Sequence, residues 1–234
     1  MVIDFHSHIL PGIDDGSMSV EDSIAMLKME AEQGIEHIVA TPHFNALRDD
    51  PERFLAERTA AEARLREEME RHAGLPRISV GAEVSFFPGM SHSDALWGLT
   101  IDKKKTILIE MPKAPWTDTM YRELEAIQTR QGLIPVIAHV DRYIRPFKTY
   151  QIPERLEELP VLIQANANFF LRSQTKRMAL KMLRKEQVHL LGSDCHNLTT
   201  RAPNLGNAVK VIRQNLGGET IGRICFWQQT AMRD

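Results

Sequence analysis

Six of the seven short apolar runs in this chain stop at a histidine or a carboxylate, and that repeated ending limits the folds open to it. Val2-Ile3 leads to Asp4, His6 and His8, with Asp15 just beyond. Ile38-Val39-Ala40 is followed by His43, Ile78-Ser79-Val80 by Glu83, and Ile107-Leu108-Ile109 by Glu110. Val136-Ile137-Ala138 runs into His139, and Leu190-Leu191-Gly192 into Asp194 and His196. The run at 161–166 has no such ending. Carboxylates and imidazoles at the ends of core strands are costly unless something pairs them. Several converging from different strands suit a cluster of divalent cations.

Helical patterns separate the runs. Ser19, with Asp22 three residues on, reads as an N-cap; Ile24, Leu27 and Ala31 then recur at helical spacing, and Gly34 supplies the stop. Pro51 opens a long amphipathic helix to about His72. Further helices are expected near 117–131, 173–186, 203–216 and 219–230, and later strands at 35–41, 78–83, 106–110, 134–139, 161–166 and 188–194. The strands are continuous apolar runs, so both faces are covered and a parallel sheet is expected. An open sheet gathers its functional groups at one switch point. Here nearly every strand carries one at its C-terminal end, as barrel enzymes do. The expected architecture is α/β, a distorted (β/α)7 barrel of the TIM type, forming a single domain over residues 1–234.

The formal net charge of −2 and the lack of a long basic run argue against nucleic acid as a partner. Two cysteines, Cys195 and Cys225, make no disulfide framework and fit a reducing compartment. The first strand starts at Val2, and no apolar stretch is long enough to insert in a membrane, so a cytoplasmic location is expected.

Strand alternation places Asp4, His6 and His8 on one side. It also pairs Asp194 with His196 and turns Cys195 away. Imidazole with carboxylate and no thiolate suits Mn, Fe or Zn. The ligands are too many for one ion, so two or three ions are expected, with a carboxylate such as Glu83 bridging. Asp15, Glu83, Glu110 and Asp194 supply four negative charges and Asp4 a fifth, against six positive ones from three divalent ions. Such a site is net cationic and attracts phosphate. Arg142, three residues after His139, and Arg201, five after His196, can reach the ions and fork onto phosphate oxygens. Hydrolysis of a phosphoester by attack of a metal-bound hydroxide is the expected reaction, since such ions lower the pKa of bound water to about 7.

These segments resemble the polymerase and histidinol phosphatase (PHP) superfamily: D-x-H-x-H at Asp4 to His8, A-T-P-H ending at His43, G-A-E ending at Glu83, I-E at Glu110, I-A-H ending at His139 and S-D-x-H-N from Ser193. H-S-H-I with D-D-G (Asp14 to Gly16), H-V-D-R-Y (His139 to Tyr143) and H-N-L-x-x-R (His196 to Arg201) are similar to one branch. That branch is the bacterial manganese-dependent protein-tyrosine phosphatases of capsule and exopolysaccharide synthesis. The resemblance implies a PHP barrel with three metals. His6, His8, Glu83 and Asp194 would hold one ion, Glu83, Glu110 and His139 a second, and Asp15, His43 and His196 a third. It further implies that Arg142 and Arg201 bind phosphate and that the substrate is a tyrosine-phosphorylated protein, a polysaccharide-export autokinase. Val84-Ser85-Phe86-Phe87 and Phe44-Asn45 depart from the branch's pattern near the substrate.

Three rivals fit parts of this pattern. A small phosphomonoester such as histidinol phosphate suits the same ligands. The nuclease module of DNA polymerases fits the metals but not the charge balance. A non-catalytic metal- or phosphate-binding regulator would be expected to have lost ligands, and none is missing. Cys195 and Arg201 also form C-x5-R, the pattern of cysteine-dependent tyrosine phosphatases. The residues between them contain no glycine, and using Cys195 as nucleophile would turn Asp194 and His196 away from the metals. Cys195 is therefore read as a packed side chain. Phe44, Phe86, Phe87, Trp116 and Tyr143 lie near strand ends and are read as packing. His37, His72, His92 and His189 are given no role.

Overall fold

Strand and helix alternate along the chain in the order that the sequence pattern predicts. The structure, a computed structural model, describes residues 2–144 and 151–233. The chain runs β1 (Ile3–Ser7), α1 (Val20–Glu32), β2 (His37–Ala40), β3 (His43–Phe44), α2 (Pro51–Met69), β4 (Arg77–Val80), β5 (Glu83–Ser85), α3 (Leu96–Leu99) and β6 (Thr106–Glu110). It continues with α4 (Asp118–Gln131), β7 (Ile134–Ile137), α5 (Asp141–Ile144), α6 (Ile152–Glu157), β8 (Leu162–Asn166), α7 (Ala167–Leu171), α8 (Ser173–Arg184), β9 (Leu190–Gly192), α9 (Leu205–Leu216) and α10 (Gly218–Ala231). Ser19 caps α1 as expected, its hydroxyl accepting the Asp22 N–H at 3.2 Å. Asp50 caps α2 through the Arg53 N–H, and Pro51 takes the first helical position, where a missing N–H costs nothing. The short helices α3, α5, α6 and α7 were not foreseen.

Two of the seven strand positions are each filled by a pair of short strands. The 35–41 strand ends at Ala40 and resumes beyond Pro42 as β3, and Gly81-Ala82 interrupts 78–83, yet the ladder carries on: Gly81 N–H donates to Ala40 O and Glu83 N–H to Pro42 O, both at 2.9 Å. Counting each broken pair as one, the nine strands among the described residues fill seven positions. Every pairing is parallel, in the orders β1-β2-β4 and β3-β5-β6-β7-β8-β9. The last position returns to the first through a parallel bridge between Ser7 and Cys195, with Asp194 N–H donating to His6 O at 2.8 Å. The result is a distorted seven-position α/β barrel. Its interior is packed by Phe5, Leu108, Val136 and Leu190. Ile107, Ile109 and Ile137 face the surrounding helices with Leu124 and Ile127 of α4.

Strict alternation fails in β1. Asp4 pairs with Ile38 and Ser7 with Ala40, so three steps on β1 match two on β2. This bulge inserts one residue and reverses the facing beyond it. Phe5 and His6 therefore both serve the inside, while Asp4 turns outward to Glu30 and Cys195. The expectation that Asp4 shares a side with His6 and His8 is thus corrected. No helix among the described residues is long and apolar enough to cross a membrane.

Candidate metal centre

Glu83, at the start of β5 and 1% exposed, sits at the middle of the pit formed by the strand ends. Around it the four atoms His6 Nε2, His8 Nε2, Glu83 Oε2 and Asp194 Oδ1 are close together. The separations are His6–His8 3.1 Å, His6–Glu83 3.1 Å, His8–Glu83 3.3 Å, His6–Asp194 3.7 Å and His8–Asp194 3.6 Å. Four donors about 2.1 Å from one shared ion would stand about 3.4 Å apart, so the spacing fits a bound cation. On the other side, Glu83 Oε1 lies 2.7 Å from His139 Nε2, which is 3.5 Å from Glu110 Oε1. A third group centres on Asp15 Oδ1, which is 3.4 Å from His43 Nε2 and 3.5 Å from His196 Nε2. His8 is also near enough to join this third group. The structure thus brings together all nine expected ligand residues. Asp15 is exposed and His43 and Glu110 are half-buried at the rim, and the other six are buried.

The histidines are aimed by partners that the sequence did not reveal. His8 Nδ1 lies 2.7 Å from Asp14 Oδ2, His6 Nδ1 3.3 Å from Gln164 Oε1, His139 Nδ1 3.3 Å from the Tyr143 hydroxyl and His196 Nδ1 3.0 Å from Asp194 O. With Nδ1 engaged outward, each ring turns Nε2 to the pit, as histidines that bind metals do. His196 Nε2 is buried with no hydrogen-bond partner, an orphan that a cation would satisfy. Gln164 also accepts the His139 N–H at 2.6 Å, and Asn166 donates to Asp194 Oδ2 at 2.8 Å. Both come from β8, the strand with no acid or histidine at its end. Gly192 permits the close fit of β9 against β1: a Cβ there would be 2.6 Å from His6 Cβ and 3.0 Å from His6 N.

The pit is strongly polarised. Burial would raise the Glu83 carboxyl pKa, but His6, His139 and His43 hold it well below the usual range. Burial likewise opposes charge on His8, yet Asp14 and Glu83 push its pKa up to about 10. His196 goes the other way, down to about 4, through burial, His8 and Arg201. The field that holds a proton on His8 also favours a divalent cation there, and the two compete.

Arg142, on α5, and Arg201 both reach Asp194. Arg142 Nη2 donates to Oδ2, while Arg201 Nη2 donates to Oδ1 at 2.7 Å. Burial would raise the Asp194 carboxyl pKa, but His6, Arg142 and His8 hold it far below the ordinary value. A cavity of about 380 Å³ opens beside the two arginines, lined also by Asn166, Phe169 and Arg172. A second, of about 330 Å³, lies on the Glu110 side and is bordered by Phe86. Cys195 is fully buried, and burial with Asp4 and Glu30 pushes its thiol pKa well above the usual value, so it is a poor nucleophile. Phe44, Trp116 and Tyr143 are core residues; Tyr143 packs edge-on against Trp116 and its hydroxyl serves His139.

Residues 2–232 match the family described as "Capsular polysaccharide synthesis, CpsB/CapC". The chain belongs to the CpsB/CapC family. Among its relatives, the tyrosine-protein phosphatase YwqE of Bacillus subtilis is 32% identical over 93% of this chain and 86% of its own. The tyrosine-protein phosphatase CpsB of Streptococcus agalactiae (serotype V) is 26% identical, covering 95% of this chain and 94% of its own. A solved structure from work on YwqE of B. subtilis and CpsB of Streptococcus pneumoniae, described as metal-dependent tyrosine phosphatases, superposes with a TM-score of 0.83 at 27% identity. It covers 98% of this chain and 92% of that one. The phosphotriesterase homology protein of Escherichia coli, at a TM-score of 0.52 and 12% identity over 97% of each chain, shares the fold alone.

Proposed function

We propose that this chain is a metal-dependent protein-tyrosine phosphatase that acts in capsule or exopolysaccharide synthesis. The observation that carries the reading is the grouping of three donor sets around Glu83, with Arg142 and Arg201 at one edge. His6, His8, Glu83 and Asp194 would hold one divalent cation, Glu83, Glu110 and His139 a second, and Asp15, His43 and His196 a third. Imidazole and carboxylate donors without thiolate suit manganese, iron or zinc, and of these we take manganese as the metal. Bound cations of this kind supply Lewis acidity and an activated water at neutral pH.

The chain's own residues bind and orient the ester. Arg142 and Arg201 have planar forks suited to non-bridging phosphate oxygens, and both already grip a carboxylate at the site. The leaving phenolate, with a pKa of about 10, needs little help from a general acid. The protein substrate is a phosphotyrosyl chain, with a polysaccharide-export tyrosine autokinase as the partner that the family suggests. The reading also takes residues 1–234 as one domain and the location as cytoplasmic.

The test is turnover of a phosphotyrosyl peptide by purified protein, before and after chelation, with histidinol phosphate as competitor. Peptide hydrolysis that is lost with EDTA and restored by manganese supports the reading. Preferred turnover of histidinol phosphate would move the assignment to a small-molecule phosphatase, and hydrolysis that survives full metal removal would end it.

A further inference from the structure

Between Arg172 and Lys185 the chain carries six basic residues and no acidic one: Arg172, Lys176, Arg177, Lys181, Arg184 and Lys185. They lie on α8 and the residues flanking it. Five are exposed and Lys176 is half-buried. None is ion-paired among the described residues. On α2, by contrast, Arg53 and Arg66 are each paired with a glutamate four residues away. In a protein of net charge −2, an uncompensated basic face is an electrostatic feature that needs a counterpart.

Its position says where that counterpart comes from. Arg172 and Thr175 line the cavity that also holds Arg142 and Arg201, with Asp141 and Asp194 as its carboxylates. Along α8 and its C-cap, Gln174, Arg177, Met178, Lys181 and Lys185 line a groove of about 490 Å³ against Pro153 and Glu154, and Glu154 is its one lining carboxylate. The basic face is thus continuous with the mouth of the metal centre.

Resting on the phosphotyrosine reading above, we infer that α8 is a docking track for an acidic polypeptide segment adjoining the phosphotyrosine. Its twelve residues span about 18 Å. An extended peptide covers that distance in about five or six residues. A polypeptide fits better than an anionic bilayer, because α8 buries Ala179, Met182 and Leu183 in the core and has no free apolar face to insert.

The test compares two phosphotyrosyl peptides, one flanked by glutamates and one by glutamines, made with the flank on either side of the tyrosine. The wild-type enzyme is expected to favour the glutamate peptide in kcat/KM by about tenfold at low ionic strength, because several exposed charges act together, and to lose that preference in high salt. In the variant Arg177→Glu, Lys181→Glu, Lys185→Glu the ratio should fall to one or reverse. Using the ratio cancels any general loss of folded enzyme. An unchanged ratio in the variant, or no preference in the wild type while both peptides are hydrolysed, overturns the docking track and leaves the phosphatase reading intact. Failure to hydrolyse either peptide overturns both. Wild-type binding to phosphatidylserine vesicles that the variant loses, without any peptide preference, would assign the face to lipid and also overturn the inference.

Discussion

Asp14 Oδ2 stands 2.7 Å from His8 Nδ1 and accepts the backbone N–H of His43 at 3.0 Å, so one carboxylate orients two histidines of the metal centre. Burial works against its charge, but His8 lowers the Asp14 pKa to about 2. Removing it leaves His8 free to rotate and to switch tautomer. Asp14→Ala is expected to weaken cation affinity by about 10- to 100-fold. A metal titration against a competing chelator reads this directly, and unchanged affinity would show that the pair is not an orienting one. Asp14→Asn, which keeps an acceptor oxygen, should lose less.

Arg142 and Arg201 both grip Asp194, and each faces the cavity where phosphate would sit. If they act on the ester, losing either fork removes charge stabilisation that strengthens as the phosphoryl group is transferred. Arg142→Ala or Arg201→Ala should then lower kcat by about a hundredfold or more. Metal content, measured by elemental analysis of the same preparation, should hold. Parallel loss of metal and turnover would make the arginines mere supports for Asp194.

Much of this site can be read from the chain because its ligands close apolar strands, and burial makes such endings conspicuous. Ser19 and Pro51 likewise announce their helices by local chemistry. The rest depends on contacts between distant segments. Gln164 and Asn166 are neutral amides on β8, and nothing local marks them as the supports of His6, His139 and Asp194. Asp14 was overshadowed by its neighbour Asp15, although Asp14 is the one turned inward to His8. Tyr143 reads as a packing aromatic, and the role of its hydroxyl emerges only where α5 brings it to His139. Asp4 was misplaced because a bulge is a property of two paired strands, not of one.

The C-x5-R segment invites a thiolate mechanism that the fold opposes. Cys195 is fully buried beside Asp4 and Glu30, which disfavour its ionisation. Cys195→Ser is therefore expected to retain activity within a few-fold, and iodoacetamide should leave the folded enzyme unmodified at this position. Loss of activity in Cys195→Ser, with normal metal content and an unchanged melting curve, would bring the cysteine back into the chemistry.

His189 gives the protein an acid-sensitive point away from the metals. Burial lowers its pKa from the ordinary 6.5 to about 4, and its Nδ1 accepts the Ile163 N–H at 3.0 Å, a bond that protonation there would break. A histidine whose pKa is depressed on folding binds more protons when unfolded. Stability is therefore complete above about 6.5 and is lost as the pH falls through the interval down to about 4. By pH 5 this one group should remove about 2 kcal/mol, or a few degrees in Tm for a chain of this size. His189→Gln, which can keep an acceptor for Ile163 but cannot titrate, should melt lower at neutral pH yet lose less on acidification. Thermal melts at saturating metal across that range would test it: parallel Tm–pH curves for the two proteins would mean that His189 is not the group being titrated.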